Sequence, residues 1–335
     1  MAHRAPTRFR DSVSAPTAPG CEWRARRHGA VRRCALSLSV IAGACTAAPP
    51  NDAATTGTDV PPGTDIWVAS LTASADGTLV LGSPTNATHR DGYDNQPHFL
   101  PDAPAFLYTV IDEAGQADIW RYDLVAGRAS RVTHTAPESE YSATPLPGGG
   151  GFSAVRVEAD STQRLWRFDM DGTAPAVVLE SVFPVGYHAW TDDHTLALFV
   201  LGDPPTLQVA DANAGTSVEV AAGIGRSIQR IPGTNAVSFV LRTSPEESRI
   251  MRLEPGSEPE FLVATPGGED DHAWTPDGTL LLTRGSTVLW WRPGGGVDGW
   301  TEVADLTAHG ITLSRLAVSP DGGTVALVGQ AISEG

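Results

Sequence analysis

Residues 271–278 read Asp-His-Ala-Trp-Thr-Pro-Asp-Gly, an apolar strand that ends in a turn of the Pro-Asp-Gly kind. The turn end of this pattern occurs six times, beginning at Phe99, Pro145, Trp190, Arg230, Trp274 and Val318. Subtracting successive positions gives steps of 46, 45, 40, 44 and 44 residues. Units of ~40–45 residues with four strands each are typical of β-propeller blades. The spacing therefore predicts an all-β propeller.

A second strand motif completes each unit. Residues 119–124 read Ile-Trp-Arg-Tyr-Asp-Leu, and related stretches occur at 165–169, 207–211 and 250–254. Apolar and polar residues alternate along them, as expected of a strand with two unlike faces. An acidic residue and a following glycine then suit the hairpin to the next strand. No segment beyond the N-terminal region has a convincing helical period.

The two ends of the repeat region complement each other. Residues 65–71 match the second half of a unit, and residues 315–328 match a first half. We therefore predict a six-bladed β-propeller whose last blade is closed by strands from both termini, which removes the open edges of the sheet array. A seven-bladed ring is the alternative.

The repeats resemble a known family. Residues 96–102, 118–124 and 271–278 are similar to the WD40-like (PD40) repeats of the TolB propeller, and the resemblance covers about residues 65–330. The chain lacks room for the separate N-terminal domain of TolB, so it resembles a TolB-type propeller lipoprotein of bacteria. The resemblance implies extracytoplasmic protein binding, with sugar binding in some members and catalysis in rare ones.

The N-terminal region is typical of a secretory signal. Five arginines between positions 24 and 33 precede the apolar run 35–44, which ends in small residues directly before Cys45. This end resembles the bacterial lipobox. We expect a signal peptide over 1–45, lipidation of Cys45, a flexible linker over 46–64 and the propeller over 65–335, anchored by lipid in the periplasm or outer membrane. Ordinary cleavage near Ala44 or Ala48 without lipid is the alternative.

The charge balance restricts the classes of partner that the protein can bind. The chain has 23 basic and 39 acidic residues, for a formal net charge of −16. Removing residues 1–45, with eight arginines and two acids, leaves 15 against 37, a net −22. Such a surface repels nucleic acid and anionic membranes. The chain contains no lysine, which excludes Schiff-base and P-loop lysine chemistry. We expect a monomer without a cofactor.

The sequence contains no convincing catalytic motif. No Gly-x-Ser-x-Gly nucleophile elbow occurs. Glycines 294, 296 and 299 match Gly-x-Gly-x-x-Gly, but no helical pattern follows them. Residues 169–172 resemble part of a calcium loop and lack the remaining ligands, so they indicate a hairpin turn. We therefore assign no catalytic residue and no metal site.

Three histidines lie on predicted first strands. His188 and His272 occupy equivalent places in two repeats, and His98 lies one residue later in a third. First strands line the channel of a propeller, so these imidazoles are candidates for ligand contact, and less so for a metal. The alternative is that each caps a strand end and bonds to a neighbouring blade.

Polar residues also lead into the first strands and are expected at one mouth of the channel, where loops from every blade meet. These residues favour binding of a polar ligand, which the acids would suit if it is cationic, or of a partner's peptide. The alternative is that they form a solvated acidic rim. A further polar stretch, 156–164, predicts a salt-bridged blade edge or a recognition loop. The candidate ligand-binding residues are Gln96, His98, Glu138, Glu140, Tyr141, Arg156, Tyr187, His188, Arg226, Asp271, His272 and Arg315.

Two functions remain open. The first is a non-catalytic binding module of the cell envelope, which presents the channel mouth to an envelope protein or a small polar ligand. The second is a cell-envelope polysaccharide lyase or glycoside hydrolase on a propeller scaffold. Its candidate residues would be His188, His272, Glu138 and Asp271.

Overall fold

Five repeats each form one four-stranded antiparallel sheet, and a sixth sheet contains both ends of the described chain. The computed structural model describes residues 61–74, 77–267, 271–294 and 299–332. The predicted signal peptide, Cys45 and most of the predicted linker lie outside these residues. The all-β, six-bladed prediction is confirmed.

Consecutive strands along the chain form each blade, beginning with three strands of blade 6 and continuing through blades 1 to 3. The first strands of the described residues are β1 (Asp65–Ala73), β2 (Leu79–Leu81) and β3 (Thr85–Asn86), which belong to blade 6. Blade 1 comprises β4 (Tyr93–Phe99), β5 (Ala105–Ile111), β6 (Ala117–Asp123) and β7 (Arg128–Arg131). Blade 2 comprises β8 (Ser139–Pro145), β9 (Gly151–Val157), β10 (Gln163–Asp169) and β11 (Ala176–Val177). Blade 3 comprises β12 (Val185–Trp190), β13 (Thr195–Val200), β14 (Thr206–Asp211) and β15 (Thr216–Ala222).

The second half of the ring repeats the arrangement. Blade 4 comprises β16 (Ile224–Arg230), β17 (Val237–Arg242), β18 (Ser248–Leu253) and β19 (Glu260–Ala264). Blade 5 comprises β20 (His272–Trp274), β21 (Leu280–Arg284), β22 (Thr287–Trp291) and β23 (Thr301–Asp305). A 3₁₀ turn (Thr307–His309) leads to β24 (Ile311–Val318) and β25 (Thr324–Ala331) of blade 6.

Blade 6 closes the ring as predicted. β1 pairs antiparallel with β25, from Asp65 opposite Gly329 to Ser70 opposite Thr324. β2 and β3 then pair with the outer side of β1. Just before β1, Thr64 forms a parallel bridge with Tyr93 of blade 1. The N-terminal strand is thus bonded within blade 6 and linked to blade 1.

Hydrogen bonds that the aspartate accepts shape the Pro-Asp-Gly turns. In the turn after β24, Asp321 accepts bonds from the Ser319 hydroxyl at 2.6 Å and the Gly323 N–H at 3.0 Å. These bonds hold the pKa of Asp321 below its ordinary value. The ionised side chain therefore supplies the acceptor that the turn requires.

The apolar core is divided among the blade interfaces. Six clusters of buried side chains each join residues of two neighbouring blades. Within β20, Trp274 packs in the cluster shared with blade 4, and its neighbour Ala273 packs in the cluster shared with blade 6. Alternate residues of a strand point to opposite sheet faces, and here both faces are buried. The sequence motif repeats because each unit must fit the next.

No helix of the described residues is long and apolar enough to cross a bilayer.

Candidate binding channel

A central cavity runs along the first strands of the six blades. Its volume is about 490 Å³, and every blade contributes to its wall through the inner strand and the turn after it. The lining includes seven of the predicted site residues: Gln96, His98, Tyr187, His188, Arg226, Asp271 and Arg315.

Bulges in the inner strands shape this wall. The pairing of the first with the second strand shifts register in five blades, at 95–98, 141–144, 185–187, 224–228 and 313–315. Gln96 and Ser142 sit in two of these bulges with φ of 58° and 54°. A bulge bends its strand and re-aims the adjacent side chains. Here the bulges lie where the strands supply polar residues to the cavity.

One end of the cavity, which we call the arginine mouth, is formed by Gln96, Tyr187, Arg226, Asp271 and Arg315. The guanidinium carbon of Arg315 lies 5.3 Å from the ring centroid of Tyr187, a cation–π distance. Arg315 belongs to blade 6 and Tyr187 to blade 3, which are opposite each other in a six-bladed ring. The pair therefore reaches across the channel.

The other end of the cavity, the proline mouth, is formed by the turns after the first strands. Arg230 lies there and donates from Nε to the Thr234 carbonyl at 3.2 Å. Phe99, Trp190 and Trp274 also contribute to the wall, and their rings pack in the apolar clusters between blades. The prolines are Pro101, Pro147, Pro232, Pro276 and Pro320. The two ends of the channel thus differ in chemistry: the first contains Arg226, Asp271 and Arg315, and the second contains prolines together with Arg230.

His188 and His272 are buried partners of the preceding blade. His188 Nε2 lies 2.6 Å from the Ser153 hydroxyl, and the Trp190 indole N–H donates to the same oxygen at 2.9 Å. Burial lowers the pKa of His188 to about 3, with a smaller contribution from His98, so the imidazole is neutral. The hydroxyl thus joins two side chains of blade 3 to blade 2.

The same arrangement, a serine hydroxyl bonded to a histidine and a tryptophan of the next blade, occurs again between blades 4 and 5. His272 Nε2 lies 2.7 Å from the Ser238 hydroxyl, which accepts the Trp274 indole N–H at 2.8 Å. Burial lowers the pKa of His272 to about 3. The position of both histidines agrees with the blade-bonding interpretation of the sequence. The serine partners escaped sequence analysis, although each lies 36 or 37 residues before its tryptophan.

His98 differs from the other two histidines because its side chain is exposed to the cavity. The surrounding walls lower its pKa below the ordinary value by desolvation, so it too is neutral at pH 7. The side-chain oxygen of Gln96 is bonded within the protein: its Oε1 accepts from the Thr109 hydroxyl and the Ser142 N–H, both at 2.8 Å. Gln96 thereby links blade 1 to blade 2.

Five predicted site residues do not line the cavity: His272, described above, and four that lie between blades 1 and 2 and along blade 2, namely Glu138, Glu140, Tyr141 and Arg156. Arg156 pairs with Glu138 and Glu140, each at 3.4 Å, and its guanidinium lies 4.7 Å from the Trp166 ring centroid. Tyr141 packs against apolar clusters on both sides of its strand. The structure therefore separates these residues from the seven in the channel.

The Glu140 carboxylate is fully buried in this network. The Thr135 hydroxyl lies 2.7 and 2.6 Å from its two oxygens. Burial raises the pKa of Glu140 to about 7, against the opposing effects of Thr135 and Arg156. Farther along the blade, Arg164 pairs with Glu158 at 2.9 Å. The stretch 156–164 is thus a salt-bridged edge, as one of the two sequence interpretations proposed.

The described residues contain no group of three or more His, Cys, Asp or Glu side chains placed to hold a metal ion. The part-match to a calcium loop at 169–172 forms a turn, in which the Gly172 N–H donates to the Asp169 carbonyl at 2.9 Å.

These features define a six-bladed propeller with a polar axial channel. A protein assigned as TolB from Agrobacterium tumefaciens has a similar fold, with 14% identity, 79% of this chain and 98% of that chain covered, and a TM-score of 0.61. A chain of the nidogen/laminin complex is similar at 14% identity, covering 72% and 92%, with a TM-score of 0.53. An oligogalacturonate lyase in complex with manganese is similar at 16% identity, covering 79% and 82%, with a TM-score of 0.50.

The resemblance to the TolB propeller is thereby confirmed at the level of fold. Identities of 14–16% support the fold alone, because one propeller scaffold carries many functions. No protein-family model matches the chain, and the comparison with curated proteins returns no match.

Proposed function

We propose that this chain is a non-catalytic binding module of the bacterial cell envelope, which receives a polar ligand or a segment of an envelope protein in its axial channel. The observation that carries the proposal is the cavity of about 490 Å³ with a wall from all six blades. A ring of inner strands gives such a cavity a rigid shape before any ligand arrives, which lowers the entropic cost of binding. The TolB-type fold is consistent with this role.

The chemistry of the wall supports binding more than catalysis. Glycoside hydrolysis generally requires two carboxyl groups facing one bond. Among the described residues that line the cavity, Asp271 supplies the one carboxylate. Of the other residues that an enzyme would use, His188 and His272 bond to serines of neighbouring blades, and Glu138 pairs with Arg156. A lyase or hydrolase on this scaffold is therefore the weaker alternative.

Site-specific photo-cross-linking in intact envelopes tests the proposal. A photoreactive residue at Gln229, which lines the cavity, should yield a discrete cross-linked product. The matched control places the same residue at Val125, a position 82% exposed and outside the cavity lining. Identical products from both positions, or none from Gln229, would contradict a binding role for the channel.

The same proposal places the protein outside the cytoplasm on a lipid anchor at Cys45. It rests on the arginine-rich region, the short apolar run and the small residues before the cysteine. Labelled palmitate should be incorporated into the wild-type chain and not into Cys45→Ala. Cys34→Ala serves as the control, because it removes another N-terminal thiol without touching the proposed site. Release of unlabelled wild-type protein would favour ordinary cleavage.

A further inference from the structure

The residue just before each turn motif contributes to a ring of uncharged side chains inside the channel. In all six blades this residue pairs with the second strand of its own blade and lines the cavity. The same position of each repeat supplies the members, so they lie at one level along the channel. We call this set the neutral ring, and its members are His98, Thr144, Ala189, Gln229, Ala273 and Ala317.

Three members of the neutral ring have hydrogen-bonding capacity that the protein does not use. His98 is exposed to the cavity, and its ring nitrogens form no hydrogen bond with the described residues. Thr144 Oγ1 lies 3.5 Å from the Ser142 carbonyl oxygen, and Gln229 Nε2 lies 3.5 Å from the Ser227 hydroxyl oxygen. Both distances exceed the usual range of about 2.5–3.2 Å. Polar atoms on blades 1, 2 and 4 therefore remain for a ligand.

These three side chains are uncharged at pH 7. Desolvation by the cavity walls lowers the pKa of His98 to about 4, so its imidazole presents one N–H donor and one nitrogen acceptor. The Thr144 hydroxyl and the Gln229 side-chain amide likewise both donate and accept. The neutral ring thus suits a ligand whose own groups donate and accept hydrogen bonds.

The wall beside the neutral ring has further unused polar atoms. Ser142 Oγ and His188 Nδ1 are buried without a hydrogen-bond partner among the described residues, and both residues line the cavity. Gln96 is bonded through Oε1, and its Nε2 forms no hydrogen bond within the same part of the chain. Buried polar atoms of native proteins are nearly always bonded to protein or ordered water, so unpaired ones need an explanation. These atoms extend the polar surface over blades 1 to 3.

The other three members of the neutral ring are alanines of blades 3, 5 and 6. Ala189 and Ala273 are buried, and Ala317 is half-buried. Blades 2 and 5 are opposite each other in a six-bladed ring, so Thr144 and Ala273 lie on opposite sides of the axis. An alanine side chain ends at Cβ, so these blades supply apolar surface and leave width for a bulky group.

A saccharide ring combines the same properties. Its hydroxyl groups donate and accept around the edge of one plane, and its C–H groups give apolar faces. The polar members of the neutral ring approach the axis from three blades at one level, whereas an extended peptide presents only one or two amide groups to one level. The cavity volume of about 490 Å³ is within the usual range for small-ligand pockets.

We propose that the neutral ring binds an uncharged saccharide through the side chains of His98, Thr144 and Gln229. This inference rests on the proposed function, because it names the class of the channel ligand. Strand pairing fixes the backbone of all three residues before the ligand arrives, which lowers the entropic cost of binding.

Calorimetric titration of the purified chain, in a buffer without glycerol, tests the class of ligand. The neutral probes are glucose, galactose, mannose, N-acetylglucosamine, maltotriose and chitotriose. Glucosamine and glucuronate present the same six-membered ring with a positive or a negative charge, and a blocked trialanine peptide supplies neutral amides. Trp190 and Trp274 line the cavity, so tryptophan fluorescence gives a second readout.

We expect saturable binding of at least one neutral saccharide, with no gain in affinity for the charged analogues. Binding of a monosaccharide would identify a free sugar as the ligand. Binding of a trisaccharide alone would identify a segment of a glycan chain.

Substitutions in the neutral ring locate the site. Thr144→Val keeps the side-chain volume and His98→Ala removes the exposed imidazole; each should weaken binding by roughly 2- to 10-fold, as expected for loss of a neutral hydrogen bond. Ala317→Leu narrows the ring and should weaken binding by more than about 10-fold through a steric clash. His134→Ala changes an exposed histidine outside the cavity lining and should bind like the wild type. Circular dichroism confirms that each variant is folded.

Four outcomes overturn the inference: no neutral saccharide binds, a charged analogue binds more tightly than every neutral probe, the peptide alone binds, or Thr144→Val and His98→Ala both bind like the wild type. The proposed function fails separately. If the photoreactive residue at position 229 still gives a discrete cross-linked product while every saccharide fails, the channel is a binding site for a ligand of another class.

Discussion

Single polar side chains join neighbouring blades of this propeller. The Ser153 and Ser238 hydroxyls each hold a histidine and a tryptophan of the next blade. All these groups are buried, so a missing partner leaves polar atoms without water. The histidines that looked like ligands in the sequence are thus also parts of the blade interfaces.

Replacing one of these serines should therefore be costly. We expect Ser238→Ala to lower the free energy of unfolding by about 1–3 kcal/mol, because His272 Nε2 and Trp274 Nε1 both lose their partner. Urea unfolding followed by tryptophan fluorescence measures the change. Ser130→Ala, on an exposed part of β7, should change stability by less than about 0.5 kcal/mol. Equal stability of Ser238→Ala and the wild type would show that the hydrogen bonds of this serine do not stabilise the fold.

The buried Glu140 carboxyl predicts a pH dependence. Its pKa rises from 4.5 to about 7 on folding, so between these values the folded chain binds the proton more tightly than the unfolded chain. The free energy of unfolding attributable to Glu140 therefore falls as pH rises through this window. Glu140→Gln cannot titrate, so its stability relative to the wild type should increase by on the order of 1–3 kcal/mol from about pH 5 to about pH 8.

The comparison with the wild type isolates Glu140 from other groups. The lowered pKa values of His188 and His272 act in the opposite sense, since stability is lost as pH falls below their ordinary value of 6.5. These histidines are present in both proteins and cancel in the difference. Glu219→Gln, on the exposed part of β15, should show no such divergence. A pH-independent difference for Glu140→Gln would contradict the assignment.

At the scale of the strand, the inner strands combine close packing with bulges. The bulges bring Gln96, Tyr187 and Arg315 to the channel, and each of these inner strands stays paired with the second strand on both sides of its bulge. Glycine is required where two strands approach most closely. A Cβ at Gly329 of β25 would lie 2.1 Å from Ile311 Cγ2, which is buried on β24.

Gly329→Ala should therefore destabilise blade 6. We expect a loss of about 1–3 kcal/mol from overpacking, measured by urea unfolding. Gly148→Ala is the matched control, because a Cβ there meets no atom within 4 Å. The double variant Gly329→Ala/Ile311→Ala lacks the Cγ2 methyl, so its loss of stability should be smaller than the sum of the two single losses. Additive losses without any recovery would place the clash elsewhere.

At the scale of the molecule, closure couples the chain ends to the whole ring. Ile66 of β1 is fully buried among Phe99 and Phe106 of blade 1 and Val328 of β25. One side chain near the N-terminal end of the propeller thus packs against two blades. Each blade contacts two neighbours, so loosening the interface between blades 6 and 1 exposes one face of each of these two blades to water.

Ile66→Ala tests this coupling. We expect it to lower the free energy of unfolding by about 2–5 kcal/mol, the usual range for emptying a buried site. Far-UV circular dichroism and tryptophan fluorescence should report one shared, shifted transition, since the tryptophans are distributed among the blades. Val125→Ala, at an 82% exposed position, should leave both curves unchanged. Separate transitions in Ile66→Ala would show that the blades unfold independently.

The sequence by itself determined the repeat, the number of blades and the closure by both ends. The reason is that each unit must bury both faces of its inner strands against neighbours, so residues 271–278 and their counterparts return at a fixed interval. The apolar alternation and the Pro-Asp-Gly turns depend on residues close together in the sequence, so a single sequence is enough to predict them.

Only the tertiary structure determined which side chains line the channel. Gln96, Tyr187 and Arg315 reach the cavity because bulges re-aim their strands, and a one-residue shift in register cannot be deduced from a single repeat. Glu140 appeared equivalent to them in the sequence and instead pairs with Arg156 on the neighbouring strand of its own blade. Whether such a residue faces the axis or the next blade depends on partners in a neighbouring blade, because packing between blades decides it: Gln96 bonds to Ser142 and Asp271 bonds to Leu316.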